Sequence, residues 1–191
     1  MNDVPSLITP RLRLRPFALR DVQAVLELYG DMQVNTFLPW YPIDTAAQAR
    51  ALLEDWQREE TCRRWAVCPL ETDAPVGYVT LENGAPHDLG YALRRDCWGR
   101  GYATEAAQAV LDFARRDGMP YVTATHDVCN PASGRVMRRL GLCYCYSYVE
   151  QWQPKDILVT FRLYQRSLDG APHPAYDGYW NRYPKHFFEE I

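Results

Sequence analysis

Trp98-Gly99-Arg100-Gly101-Tyr102-Ala103-Thr104-Glu105 places two glycines and a positive charge between an expected strand and a long amphipathic helix. Because glycine has no Cβ, the backbone of such a turn can approach a ligand closely. The first N–H groups of a helix have no partner inside the helix, and the helix dipole adds partial positive charge there. The stretch therefore predicts a site for phosphate oxygens at the beginning of the helix.

The elements on either side of this turn are clearly patterned. The helix is expected over residues 102–117, with an apolar stripe made of Ala103, Ala106, Ala107, Val110, Leu111 and Ala114. Gly118 and Pro120 predict its end. Residues 88–93 predict the strand that leads into the turn, with Leu89, Tyr91 and Leu93 on one face.

Strands and helices alternate along the rest of the chain. Further strands are expected at residues 12–17, 65–69, 76–81, 121–128, 142–149 and 157–166. Further helices are expected to begin at Asp21, at Asp44 or Thr45, and at Asn130. This order predicts a three-layer α/β (α+β) fold, in which a mixed, mostly antiparallel central sheet is flanked by helices.

The last twenty-one residues differ from the rest in composition. Residues 1–170 are expected to form one domain, and residues 171–191 an aromatic-rich C-terminal extension packed on it. The aromatic residues recur at roughly helical spacing, although Pro184 interrupts the pattern, and they are Tyr176, Tyr179, Trp180, Tyr183 and Phe187. Three roles stay open for this extension: packing on the core, a lid over a substrate pocket, and a homodimer contact.

Composition excludes several classes of protein. Of 191 residues 47% are hydrophobic, and the net charge of −3 offers no basic surface for a nucleic-acid backbone. No run is long enough for a membrane helix, and residues 1–10 lack a secretion-signal pattern, so a cytoplasmic protein is expected. The six cysteines lack the spacing of a zinc site, so free thiols and no bound metal are expected.

Taken together, these motifs resemble the GNAT superfamily of acyl-CoA N-acyltransferases, in particular its RimJ/RimL-like branch. The superfamily hallmark is Gln or Arg, two residues, Gly, one residue, then Gly or Ala. Gly101 and Ala103 fit it, whereas Trp98 stands in the Gln/Arg place, as is usual in that branch. Residues 8–16, Ile-Thr-Pro-Arg-Leu-Arg-Leu-Arg-Pro, also look like that branch, as does Asn130-x-x-Ser133 followed by Leu140-Gly141-Leu142.

The resemblance implies where acetyl-CoA lies. Backbone amides of Gly99, Arg100, Gly101, Tyr102, Ala103 and Thr104 would hold the pyrophosphate. The Arg100 side chain would add a charge there or lie solvated. The pantetheine arm would lie between the strand ending at Leu93 and the strand ending near Cys129, with Asn130 and Ser133 near the sulfur. Asn130 would also serve as a helix N-cap.

The implied reaction is acetyl transfer to a primary amine, either a small amine or a peptide N-terminus, by direct attack in a ternary complex. An alkylammonium, with a pKa of ~10.4, must first lose a proton, and a carboxylate can accept it. Asp88 is the first choice of base, ahead of Glu82 and His87; a surface carboxylate at the strand edge is its alternative. An amide near Leu93 or Arg94 would stabilise the developing oxyanion.

The position where many family members have a tyrosine acid, seven residues after the asparagine, is Met137 here. Ser133 is the substitute donor, or none is needed. By analogy the acceptor site would be walled by the loop 37–41, the second helix and the hairpin 151–156. Trp40, Tyr41 and Trp152 would line it, although residues of these types more often serve in packing than in substrate contact.

Two other functions stay open. A non-catalytic acyl-CoA-binding module on the same fold is compatible with the missing tyrosine. A nucleotide-binding protein of the Rossmann type is disfavoured, because the turn lacks a full Gly-x-Gly-x-x-Gly and no acidic residue follows the next strand at the expected place.

Overall fold

Two antiparallel sheets, side by side, form the middle layer of the fold. A computed structural model describes residues 4–191. The first sheet has the strand order β1-β2-β3-β4-β5 and the second has the order β6-β8-β7-β9. The strands of the first sheet are β1 Leu7–Ile8, β2 Leu12–Pro16, β3 Cys62–Pro69, β4 Gly77–Glu82 and β5 Leu89–Leu93.

The second sheet is built from the C-terminal half of the chain. Its strands are β6 Tyr121–Asp127, β7 Cys143–Trp152, β8 Ile157–Ser167 and β9 His186–Phe187. β7 pairs with β8 up to Trp152 and Ile157, so it runs three residues beyond the expected end at Val149. The hairpin loop is therefore only residues 153–156. The short strand β9 covers the outer edge of β7.

One parallel bridge, between Asp88 and Thr123, joins the two sheets within residues 4–191. The Thr123 amide donates to the carbonyl of His87 at 3.2 Å beside it. Beyond this bridge β5 and β6 have no ladder between them, so the sheets part towards Leu93 and Asp127. The fold is therefore the expected mixed, mostly antiparallel arrangement, with an opening between its two central strands.

Helices cover the sheets on both faces. They are α1 Val22–Gly30, α2 Met32–Asn35, α3 Ala46–Arg58, α4 Tyr102–Arg116, α5 Pro131–Arg139 and α6 Gly178–Arg182. α4 buries its expected apolar stripe against one face of the sheets, and α5 packs on the same face. α1 and α3 enclose a second hydrophobic cluster on the other face. A third cluster lies under α6 on the second sheet. None of the helices in the described residues is long and apolar enough to cross a membrane.

Candidate active site

The turn before α4 has the backbone conformation that its glycines allow. Gly99 and Gly101 have φ angles of 73° and 80°, in the left-handed region that other residues rarely adopt. A Cβ at Gly99 would meet no protein atom within 4 Å, and at Gly101 the nearest atom is an Arg11 nitrogen at 3.4 Å. The turn thus presents bare backbone to open space.

The N–H groups of this turn are available to a ligand. The first intrahelical bond of α4 runs from the Glu105 amide to the Gly101 carbonyl, at 3.0 Å. Within residues 4–191, the amides from Gly99 to Thr104 donate to no protein acceptor. A row of free donors at a positive helix end fits a diphosphate.

A clamp between Arg11 and Glu105 fixes the turn, and sequence analysis did not identify it. Glu105 accepts hydrogen bonds from the Thr9 hydroxyl at 2.6 Å and from Nε of Arg11 at 2.6 Å. Arg11 also donates to the Arg100 carbonyl at 2.9 Å and lies over the Tyr102 ring. Burial alone would raise the pKa of Glu105, but the bonds from Thr9 and Arg11 hold it below the usual value. Glu105 therefore stays charged.

At the end of β5, the backbone amides of Leu93 and Arg94 point in opposite directions, although the sequence analysis treated the two residues together. The Arg94 amide donates to the Val76 carbonyl at 2.7 Å, and its side chain binds Asp96 and Glu27. Arg94 therefore has no free amide for an oxyanion or a ligand. The Leu93 amide points the opposite way, towards the opening beside β6, because successive N–H groups of a strand alternate. The indole N–H of Trp98 donates to the Leu93 carbonyl at 2.7 Å, which ties the turn to the strand.

The second helix start lies across the opening. Asn130 caps α5, with its side-chain oxygen 3.3 Å from the Ser133 amide. The Tyr91 hydroxyl, also missed from sequence, donates to the Ser133 carbonyl at 2.9 Å and lies 3.0 Å from its Oγ. Burial raises the pKa of Tyr91, so its hydroxyl keeps its proton. Met137 is buried in the core and contributes no polar group.

Asp88 lies at the closed end of the opening, where β5 and β6 touch. Its carboxylate is 3.5 Å from the Thr123 hydroxyl, but that hydroxyl donates to the Pro86 carbonyl at 3.1 Å. The carboxylate therefore gains little from this neighbour. Burial, and then the charge of Glu82, raises the pKa of Asp88 to about 7. Glu82 is itself perturbed, since burial and the charge of Glu59 raise its pKa.

The three aromatic residues expected around the acceptor occupy different environments. Trp40 stacks on Tyr29, with ring centroids 5.7 Å apart, in the cluster under α1 and α3. Tyr41 is 59% exposed, and its hydroxyl donates to the Pro154 carbonyl at 3.3 Å. Trp152 is 9% exposed and packs on Phe161 in the cluster of the second sheet. Of these three residues, Tyr41 is the one with a hydrogen bond to the hairpin.

This geometry agrees with the comparison to known families. The model of the acetyltransferase (GNAT) domain matches residues 11–142, more than half of the chain. The chain therefore belongs to the GNAT acetyltransferase family, as the turn before α4 indicated. It is an acetyltransferase, and acetyl-CoA is its co-substrate.

Several individual proteins are similar to it. The uncharacterized protein YkkB of Bacillus subtilis is 33% identical over 175 residues, which cover 85% of this chain and 98% of that protein. The uncharacterized N-acetyltransferase p20 of Bacillus licheniformis is 31% identical over 116 residues, 56% of this chain and 65% of the relative.

Solved structures share the fold. A GNAT-family acetyltransferase from Bacillus anthracis superposes with a TM-score of 0.76 at 21% identity, covering 86% of this chain and 99% of that one. RimL, a ribosomal L7/L12 alpha-N-protein acetyltransferase solved with coenzyme A, gives a TM-score of 0.73 at 20% identity, covering 88% and 99%.

Proposed function

We propose that this chain transfers the acetyl group to a primary amine by direct attack in a ternary complex, with Asp88 as the base. One observation carries the proposal: a partly buried carboxylate lies where the two sheets part, and its pKa is raised to about 7. A base whose pKa is near the working pH combines a useful ionised fraction with a strong pull on the proton.

The proton balance follows from the acceptor. An alkylamine with a pKa of ~10.4 arrives as the ammonium ion, which has no lone pair for attack. Asp88 accepts the proton, directly or through one water. The amine nitrogen then bonds to the acyl carbon of the thioester, and the carbon–sulfur bond breaks. The second proton, which the nitrogen loses as the amide forms, balances the proton taken up by the departing thiolate.

Donor binding rests on the free amides of the turn. Gly99 to Thr104 hold the pyrophosphate, with Arg100 exposed beside them. The Leu93 amide faces the opening and is the candidate donor for the acyl oxygen. Asn130 and Ser133 lie across the opening, close to the expected path of the pantetheine arm.

Ser133 is the candidate donor to the leaving sulfur. Its hydroxyl is in contact with Tyr91, whose proton is retained because burial raises its pKa. A thiolate is a good leaving group at neutral pH because its pKa is only ~8.5, so the assistance required is small. This is consistent with Met137 at the position where many family members have tyrosine.

The experiment is a thiol-release assay with acetyl-CoA and a panel of primary amines, together with calorimetry of acetyl-CoA alone. We expect binding of acetyl-CoA, and release of one thiol for each acetylated amine. Release of thiol without an acetylated product would contradict transfer to an amine.

The second candidate is a non-catalytic acyl-CoA-binding module. The buried Met137, which replaces the usual tyrosine, favours it. Tight binding of acetyl-CoA with no thiol release for any amine between pH 6 and 9 would select this alternative.

A further inference from the structure

The C-terminal segment is fixed across the second sheet. This strap, residues 173–189, begins where Gln165 of β8 donates to the Pro174 carbonyl and accepts from the Tyr176 amide, both at 2.8 Å. The Tyr146 hydroxyl donates to the Tyr176 carbonyl at 2.6 Å. At its end the strap is held by Glu189, which accepts from Arg162 at 3.1 Å.

The strap lies on the same side of the sheets as Asp88. Gln165 is paired in register with Thr123, and Thr123 bridges to Asp88. The Tyr121 ring, two residues before Thr123 and on the same face, contacts both the His87 ring and the His173 ring, at 5.3 and 5.7 Å. The strap therefore starts two strands away from the base and runs over the neighbouring surface.

Tyr179 of the strap lies on this side of the second sheet, and a tyrosine of the sheet packs beneath its ring. Its ring stacks on Tyr148 of β7 at 4.9 Å and 22°. Tyr148 is 2% exposed, because Tyr183 stacks on it at 5.0 Å and Phe161 at 5.5 Å. Tyr179 is only partly buried, and burial followed by the charges of Asp88 and Glu82 raises its pKa. The strap thus holds a neutral aromatic ring within electrostatic range of two carboxylates.

The charge around this ring favours a cation. After burial, the charge of Glu82 raises the pKa of Asp88, and the charge of Glu59 raises the pKa of Glu82. On the other side of the aromatic stack, Arg182 lies over the Tyr183 ring at 5.5 Å. The faces of aromatic rings attract ammonium groups, most strongly where water is partly excluded. A site with carboxylates and a tyrosine face therefore favours a protonated amine.

The opposite side of the acceptor region is also bridged. The Tyr41 hydroxyl donates to the Pro154 carbonyl at 3.3 Å, and Nζ of Lys155 donates to the Asn35 carbonyl at 2.7 Å. The contacts that the end of α2 and the loop 37–41 make with the hairpin therefore border this region at one end. The strap borders it at the other end. A region bordered at both ends favours a small molecule over the N-terminus of a folded protein as the acceptor.

We propose that residues 173–183 of the strap form one wall of the acceptor site, and that Tyr179 selects small cationic alkylamines as acceptors. Tyr179 contacts the substrate, and Tyr148 is its positioning residue. This inference rests on the proposed function, because it names the substrate class of the same site.

The test compares Tyr179→Leu, which removes the aromatic face, with Tyr179→Phe, which keeps it. Phe188→Leu is the control, since Phe188 is in the same strap but 72% exposed and packed on Trp180. Butylamine and an uncharged-side-chain tripeptide with a free N-terminus are the probes. Their binding to the complex with coenzyme A is measured by calorimetry, and their KM with acetyl-CoA by thiol release.

We expect Tyr179→Leu to weaken butylamine binding about tenfold, with Tyr179→Phe and Phe188→Leu within about threefold of the wild type. Acetyl-CoA affinity should stay unchanged, and the wild type should bind butylamine more tightly than the tripeptide. Equal affinity in wild type and Tyr179→Leu would overturn the inference, as would preference for the tripeptide or no binding of butylamine. If Tyr179→Leu weakens binding while the wild type never releases thiol, the inference stands and the proposed acetyl transfer fails.

Discussion

The proposed donor and acceptor sides of this molecule are built in different ways. The proposed donor side is a single turn of consecutive residues, and its candidate ligand groups are backbone amides between Gly99 and Thr104. The proposed acceptor side combines Asp88, the loop 37–41, the hairpin 153–156 and the strap, and its candidate recognition groups are side chains. Backbone sites depend on conformation, whereas side-chain sites depend on residue identity. Substitutions on the two sides should therefore affect different kinetic constants.

The largest effect is expected from Asp88→Asn. The amide cannot accept the proton, so kcat at pH 7 should fall by about 10²–10³, while the KM for acetyl-CoA stays unchanged. In the wild type, log kcat should rise with pH up to about 7, because Asp88 must be ionised to act as the base. The loss should shrink at higher pH, where more of the amine is already unprotonated.

Glu82→Gln is the matched control for this prediction. Removing the neighbouring negative charge should lower the pKa of Asp88, and with it the midpoint of the pH–rate profile, at little cost in maximal rate. The pH–rate profiles of both variants provide the measurement. A profile that is the same in wild type and Asp88→Asn would remove Asp88 from the mechanism.

The second prediction concerns Gly101→Ala on the donor side. The added Cβ enters the space above the turn and strains a backbone with φ of 80°, so acetyl-CoA affinity should fall about 30-fold or more. Gly118→Ala is the control, because Gly118 has φ of 81° and open space around it, yet lies at the other end of α4. Calorimetry and thermal melting separate the two effects. Equal loss of affinity in both variants would show that strain alone is responsible.

Sequence patterns predicted the turn before α4 and the two helix starts because the information for each is contiguous. The glycines, the stripe of α4 and the Asn130 cap each lie within a few residues of the structure they specify. The partners missed from sequence are distant in the chain: Arg11 and Glu105 are 94 residues apart, and Tyr91 and Ser133 are 42 apart. No local propensity encodes such pairs, since the packing of the sheets brings them together.

On the proposed acceptor side, the sequence predicted even fewer of the contacts between distant residues. Trp40 and Trp152 were expected to line the acceptor site, but each is packed in a separate hydrophobic cluster. Tyr179 belonged to an aromatic pattern for which core packing, a lid and a dimer contact all stayed open, and its stacking on Tyr148 depends on how the strap crosses the second sheet. The periodicity of aromatic residues predicts burial, and it does not say which neighbouring surface they bury.

The third prediction tests whether the clamp prepares the turn. Glu105→Gln keeps the size of the side chain but weakens its charge-assisted bonds to Arg11, so KM for acetyl-CoA should rise about five- to tenfold with kcat nearly unchanged. Arg63 and Asp117, an ion pair at the far end of α4, supply the control Asp117→Asn. If both variants change the KM equally, general loosening of α4 explains the effect, and the clamp has no specific role.

The smallest effect is a change in stability, again at Asp88. Its pKa is 3.8 in the unfolded chain and about 7 in the folded one, so the folded state binds this proton more tightly. The stabilisation is fully present below pH 4 and is lost as the pH rises through 7, because a charged carboxylate must then stay buried. Asp88→Asn removes this dependence and should melt a few degrees higher than the wild type at pH 8, but not at pH 4. Thermal melts of both proteins at the two pH values provide the measurement. A variant that melts lower than the wild type at pH 8 would mean that the ionised Asp88 is well solvated, and the case for it as a base near neutral pH would fail with it.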